Sequence, residues 1–287
     1  MHCSDKPYIV LYISQIGSLN MVSKNLVIRD MDEHDEYYVG TCTHVNESAE
    51  TDLCSKIRNE WFRDMHKRGL RIKVALQDGK HVGFAYMLPI EISPWGPLGQ
   101  DLLFIPCLVS DAKNQGVGRA LIDSAEKAAR EQSKIGILTM AYFPDFFFMP
   151  GEFFERCGFK IVKSRALNDE NLTEALMLKA FEDIAPDVDF LERGYKYEHV
   201  TDKIVVDLFW NPFCQTSVIE ANRVKKVSEE YGDKVILKEY KIHDRDDLLE
   251  HGIFRGIFVN GKEIYWGYEA PEEGIREAIE NEMQTYT

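Results

Sequence analysis

A chain of 287 residues, 45% hydrophobic and 29% charged, has material for two ordinary domains and carries no long biased tract, which excludes fibrous and disordered classes. A formal net charge of -14 and a pI of about 5.1 give a surface that repels nucleic acid and anionic membranes over most of its area, so neither is expected as a partner. A local basic patch around a phosphate ligand is still compatible with that balance, and the acidic excess suits either a cationic substrate or plain solvation.

The six cysteines (Cys3, Cys42, Cys54, Cys107, Cys157 and Cys214) are scattered with no CxxC, and the eight histidines form no HxxxH or HxH. A reducing cytoplasmic setting and no metal site are therefore expected. No run is long enough to span a bilayer. Residues 8–13 are apolar, but Asp5 precedes them and polar residues follow, so no signal peptide is expected. Residues 1–20 read as an extension outside the fold, with Met21 as a second candidate start.

In chain order, residues 26–29 read as a short strand, and Asp30 and Asp32 offer caps for a helix to about His44. A second helix fits 50–67, with Leu53, Ile57, Trp61 and Met65 at helical spacing. Strands at 71–77 and 81–88 flank Asp78-Gly79, a hairpin signal. Residues 90–99 hold Pro94 and Pro97 and read as a loop. The apolar strand 102–109 is interrupted by Pro106, which cannot donate to a ladder, so a bulge or splay is expected there. An amphipathic helix follows from about 117, then a buried strand (136–142), a short helix (152–157) ended by Gly158, and a closing strand pair (160–167 and 173–180). Residues 182–201 are charged and weakly patterned and read as a linker. Beyond them come a strand (204–209), a helix (217–231), a strand (235–240), a helix (244–251), a strand pair around Asn260-Gly261 and a final helix (271–283). The fold class is α/β (α+β): a mixed central sheet flanked by helices over 21–181, then a smaller βαβαββα unit over 202–287.

The most informative segment runs from Leu108 and Val109 through Lys113, Asn114, Gln115, Gly116, Val117, Gly118, Arg119 and Ala120. A strand ends and a Gly-x-Gly turn opens a helix. The first turn of a helix has unpaired amides and the positive end of the dipole, which suits a phosphate. Glycines admit close backbone approach, and Lys113 and Arg119 can add charge-assisted contacts. No third glycine follows at Rossmann spacing, and no Gly-Lys-Ser/Thr makes it a Walker loop. A tight strand-to-helix turn without a ligand fits the same residues.

This segment resembles motif A of the GNAT acetyltransferase superfamily, [RQ]-x-x-G-x-[GA], with Lys113 where Arg or Gln is usual. Residues 153–159 (Phe-Phe-Glu-Arg-Cys-Gly-Phe) look like the end of the family's fourth helix. The resemblance covers about 24–181. It implies acetyl-CoA as co-substrate, its pyrophosphate on the amides of Gln115 to Ala120, and its pantetheine against Leu108 and Val109. It also implies direct attack by a primary amine of a small molecule on the acetyl carbonyl. The family's helical tyrosine, which protonates the leaving thiolate, is replaced by Phe154. Tyr142 is a candidate substitute; Cys157 is another, but it occupies an apolar position of that helix motif, where a packed core cysteine is the better reading. Glu91 is the first candidate base, with Asp101 and Asp145 as rivals, and a solvated loop carboxylate is the alternative for each. Cys107 reads as a buried structural thiol. The aromatic run 142–150 is core packing, an acceptor-pocket wall or a docking surface.

Residues 207–217 resemble the active-site turn of the thioredoxin superfamily, with Cys214 at the nucleophile position and Ser217 at the resolving one. A thiolate there would gain from the helix dipole. No second cysteine stands in the motif, and residues 251–255 contain no counterpart of the family's cis-proline. The tandem is similar to the YoaP-like group of acetyltransferases. Two other functions stay open: an acetyl-CoA sensor without turnover, which Phe154 would permit, and a monothiol redox protein using Cys214. A homodimer is also left open.

Overall fold

Near-continuous apolar runs in the central strands let the first half of the chain build one sheet covered on both faces. The computed structural model describes residues 25–144, 148–167, 171–182, 186–265 and 269–285, so the expected extension 1–20, with Cys3, and the candidate base Asp145 lie outside the described residues. The strands are β1 (Leu26–Asp30), β2 (Arg71–Gln77), β3 (Lys80–Pro89), β4 (Leu102–Ser110), β5 (Gly136–Phe143), β6 (Lys160–Leu167) and β7 (Leu172–Ala180), and the helices are α1 (Glu36–Gly40), α2 (Ala49–Arg68), α3 (Val117–Glu131) and α4 (Gly151–Arg156). The sheet order is β1-β2-β3-β4-β5-β7-β6, with β4 and β5 parallel and the other neighbours antiparallel.

One sheet face, with Val74, Phe84, Phe104, Leu138 and Leu176, packs on Trp61, Phe62 and Met65 of α2. The other, with Ala85, Leu103, Ile105, Ile137 and Met177, packs on Leu121, Ile122 and Ala125 of α3 and Phe154 of α4. The helix expected to reach His44 stops at Gly40, because Cys42 and Thr43 take left-handed φ angles of 51° and 73°. On α2 the buried side is Cys54, Arg58, Trp61, Phe62 and Met65, whereas Leu53, expected on the apolar stripe, is exposed.

Two features of β4 shape the centre of the sheet. Opposite β3 the register shifts between Tyr86↔Cys107 and Leu88↔Phe104, so Ile105 and Pro106 together face Met87. This is the bulge expected from a proline without an amide donor. It also resets the alternation: Leu102 and Phe104 face α2 before it, Cys107 and Val109 after it. On the other side the ladder to β5 ends at Ile105↔Thr139. Thr139 Oγ1 donates to the Ile105 carbonyl at 2.8 Å. Beyond that point β4 and β5 diverge.

The second half contains β8 (Ile204–Trp210), α5 (Gln215–Glu230), β9 (Val235–Lys241), α6 (Arg245–His251), β10 (Gly256–Val259), β11 (Lys262–Ile264) and α7 (Glu272–Thr285). Its sheet order is β11-β10-β8-β9, with β8 and β9 parallel and β10 antiparallel to β8 and to β11. The segment read as a linker has no helix among its described residues, yet it is fastened down. Leu98 and Asp189 exchange backbone hydrogen bonds of 2.7 and 3.2 Å, and buried Phe190 lies under the Arg165 guanidinium at 4.2 Å.

The two halves are docked. Trp61 Nε1 donates to the His243 carbonyl at 2.9 Å, Arg223 Nη2 pairs with Glu50 at 2.7 Å, and Trp95 stacks on Phe254 with centroids 4.3 Å apart. Phe213 belongs to the α2-side core of the first sheet, and Cys54 to the core of the second. Among the described residues no helix is long and apolar enough to cross a membrane.

Candidate active site

The glycine turn sits at the carboxyl end of β4, beside the divergence from β5. Asn114 and Gly116 both have left-handed φ angles, 59° and 81°, which fold the loop back so that Gly116 caps α3. No side chain caps the helix. The Ala120 amide, expected to contact phosphate, instead donates to the Gly116 carbonyl at 3.0 Å as the first helical bond. The anion-facing set therefore narrows to residues before it. A Cβ on Gly116 would meet nothing within 4 Å, so that glycine serves the turn; a Cβ on Gly118 would lie 2.9 Å from the Phe153 ring, so that one serves α3–α4 packing. Lys113 is exposed beside the turn. Arg119, also expected at the phosphate, donates instead to the Arg156 carbonyl at the end of α4. Leu108 and Val109 lie in the part of β4 beyond the end of its ladder to β5.

The loop is buttressed from below. Asp111 accepts from Tyr38 Oη at 2.8 Å, and the Tyr38 ring stacks on His81 at 4.5 Å. His81 Nε2 lies 2.7 Å from Asp35, a fully buried carboxylate that also receives two Arg29 bonds at 2.5 and 2.9 Å and the Asp32 amide at 2.8 Å. Burial alone would raise the Asp35 pKa, but the bonds from Arg29, the Asp32 amide and His81 outweigh it and hold the carboxyl below its ordinary value. A depressed folded pKa adds stability that is present above the unfolded value, about 3.9, and lost as pH falls through the folded one. Asp35→Asn is expected to destabilise the fold by about 2 kcal/mol at pH 7, discounted because Arg29 is partly solvated. Denaturant titrations of both proteins should show that gap closing below pH 4 or so; a gap independent of pH would remove the carboxylate from this role.

The candidate catalytic residues separate. Glu91 lies at the far end of β4, where it accepts the Asp101 amide at 2.6 Å and pairs with Lys134 at 3.0 Å. Burial opposes, but its own and the Asp101 backbone bonds and Lys134 together lower its pKa. Some 25 Å of strand, at roughly 3.3 Å per residue, separate it from the glycine turn, and at that end of β4 it is engaged by Lys134 and the Asp101 amide. Asp101, its rival, is at the same end. Tyr142 stands on β5 beyond the divergence, where its hydroxyl donates to Glu174 at 3.2 Å. Burial first, and then Glu174, push that phenol above its ordinary pKa. Glu174 is itself buried and paired with Arg165 at 2.7 Å. Cys157 is a core residue beside Phe154, and burial pushes its thiol up; Cys107 is likewise buried.

Sequence reasoning missed Arg58. Its guanidinium, 1% exposed, donates from Nε to the Phe213 carbonyl at 2.8 Å, from Nη1 to the carbonyls of Val39 and Gly40 at 3.0 and 2.7 Å, and from Nη2 to the Tyr86 hydroxyl. The available signal was a charge on the buried stripe of α2, one turn from Cys54 and from Trp61. Phe148, from the aromatic run, lies 6.2 Å from Tyr142 and 6.3 Å from Trp95, linking that run to the domain junction.

In the C-terminal half Cys214 is half-buried at the N-cap of α5, and its amide donates to Asn211 Oδ1 at 2.9 Å. Ser217 does not join it as an exposed partner: the hydroxyl is buried and accepts the Asn211 amide at 2.9 Å. Among the described residues no group of three or more His, Cys, Asp or Glu side chains could hold a metal ion.

Residues 31–159 match the model of the acetyltransferase (GNAT) family. No curated protein matches the chain. Similar solved structures include the aminoglycoside 6′-N-acetyltransferase from Enterococcus faecium, 16% identical over 55% of this chain and 99% of that one, with a TM-score of 0.42. They also include the ribosomal-protein-alanine N-acetyltransferase from Brucella melitensis (18% identity, 54% and 99% coverage, TM-score 0.39). An N-acetyltransferase from Staphylococcus aureus Mu50 is 14% identical, with coverage of 55% and 99% and a TM-score of 0.40. The stretch that matches the GNAT family model contains the glycine turn and the central strands β2 to β5 around it.

Proposed function

We propose that the protein transfers an acetyl group from acetyl-CoA to a primary amine of a small molecule by direct attack. The observation that carries this is the divergence of β4 from β5 after Ile105, next to an uncapped helix start at Gly116. Amides of Gln115, Gly116, Val117, Gly118 and Arg119 would hold the pyrophosphate, with Lys113 adding charge. Backbone groups of Leu108 and Val109 would pair with the pantetheine arm and polarise the thioester carbonyl. The amine would then displace the CoA thiolate, so that catalysis is mainly positioning plus carbonyl stabilisation.

Tyr142 is the group we assign to protonating the leaving thiolate, because it is the phenol beyond the divergence and Phe154 cannot serve. Tyr142→Phe is expected to lower kcat about 10²-fold with little change in KM for acetyl-CoA. Unchanged kcat would return the leaving thiolate to solvent protonation. The test of the function itself is turnover of acetyl-CoA with a panel of small amines, followed by free thiol release. Saturable binding with no turnover on any amine would favour the sensor reading, for which Phe154 is the motive.

For the C-terminal domain we propose a thioredoxin-like fold. The reading is supported by the order strand, helix, strand, helix, two strands, helix, and by the parallel β8–β9 pair with β10 antiparallel. A YoaP-like identity is part of the same proposal and rests on the tandem order.

A further inference from the structure

Cys214 lacks a second thiol in its own turn, and Ser217, three residues on, is buried and engaged. The other half of the molecule supplies one. Cys42 lies in the left-handed turn after α1, and Arg58 ties that turn to the Cys214 turn. One planar head group bonds the Gly40 carbonyl, two residues before Cys42, and the Phe213 carbonyl, directly before Cys214. Hydrogen bonds of 2.7 and 2.8 Å from a single guanidinium leave those carbonyls less than about 8 Å apart.

The charge at this junction is unusual. A buried cation normally faces a carboxylate. Among the described residues no carboxylate forms an ion pair with Arg58, and the groups acting on its charge are Tyr86, Cys42, Cys214 and Cys107. Three thiols and the Tyr86 phenol act on that guanidinium, and burial holds Cys42 and Cys107 toward the neutral thiol. A donor without an acceptor stands beside them. Trp95 Nε1, on a residue 7% exposed, has no acceptor and lines a crevice with Phe213, Tyr86 and Pro106.

We propose that Cys214 and Cys42 form a dithiol shared between the two domains, which exchanges with low-molecular-weight disulfides. Cys214, at a helix start and directly after the Phe213 carbonyl that Arg58 holds, loses its proton and attacks one sulfur of the small disulfide. That S–S bond breaks, one small thiolate leaves and takes a proton from water, and a mixed disulfide forms on Cys214. Cys42 then gives up its proton and attacks the Cys214 sulfur. The second small thiol departs, leaving a Cys42–Cys214 disulfide. Two protein thiols are oxidised by two electrons, and one small disulfide is reduced to two thiols. Cys107 is the poorer second thiol: it is a buried strand residue inside the sheet core, whereas Cys42 lies in the turn that Arg58 ties to the Cys214 turn.

The test uses the full chain treated with oxidised glutathione, quenched in acid, and mapped by peptide mass spectrometry. Wild type should yield a cross-linked peptide pair containing Cys42 and Cys214. Cys42→Ser, with folding checked by circular dichroism, should accumulate glutathione on Cys214, and Cys107→Ser should keep the cross-link. The proposal fails if wild type and Cys42→Ser accumulate the same Cys214 adduct. It fails equally if Cys214 stays unmodified in the folded protein, or if the cross-link runs to Cys107. The readout is on sulfur alone, so it stands apart from any result on acetyl transfer.

Discussion

Glutamate in place of Gly116 is expected to weaken acetyl-CoA binding about 10³-fold in a calorimetric titration, while alanine at the same position leaves the affinity within a few-fold of wild type. The two substitutions separate charge from backbone strain. Either side chain at a φ of 81° costs about 1–2 kcal/mol of stability. Neither meets a neighbour, since a Cβ there has nothing within 4 Å. The glutamate alone puts a negative charge roughly 4 Å from a pyrophosphate, worth about 4 kcal/mol at an effective dielectric of 20. Gly118 offers no such clean test, because any side chain there must displace Phe153. Equal affinities for the wild-type and glutamate proteins would move the donor site away from this turn. No binding by a folded wild type would remove the acetyltransferase reading altogether.

Arg58→Leu is expected to destabilise the protein by about 3–5 kcal/mol, the largest single-site loss outside the apolar cores. Leucine fills part of the volume but leaves the carbonyls of Gly40 and Phe213 and the Tyr86 hydroxyl without their donor, while the Val39 carbonyl keeps the Cys42 amide. Each orphaned buried group costs about 1–3 kcal/mol, partly recovered by water and relaxation. Lysine should rescue little, because a single ammonium cannot reach carbonyls on both sides that a planar fork spans. Chemical denaturation of the three proteins checks this. A loss under 1 kcal/mol for leucine would mean that the junction opens readily and that water already serves these carbonyls.

Much of the fold was legible because it follows from local chemistry. Asp78-Gly79 marks its hairpin, Pro106 its bulge, and Gly158 the end of α4, each through the backbone of one residue. The glycine turn was legible for the same reason. What failed depended on distance through space. The partners of Glu91, Lys134 and the Asp101 amide, meet it through the fold and have no signal in the loop itself. Arg119 finds a closer partner in the α4 carbonyls than in a ligand. Arg58 looked like one more surface charge on a helix, because nothing local announces that a second domain will cover that face. The pairing of Tyr142 with Glu174 crosses 32 residues between β5 and β7 and has no periodic signal. Asp145 falls outside the described residues, so it stays an expectation.

The docking of the halves has a consequence for how such a chain can change over generations. Phe213 completes the interior of the first sheet, and Cys54 that of the second. Each half has therefore lent a residue to its neighbour, and neither interior is whole without the other. A substitution at Phe213 is tolerated only as far as Trp61, Tyr86 and Trp95 can accommodate it, although those residues lie more than a hundred positions upstream. Drift in one half is thus constrained by the other. Severing the chain between the domains would release two pieces, each with an apolar gap where the other had been.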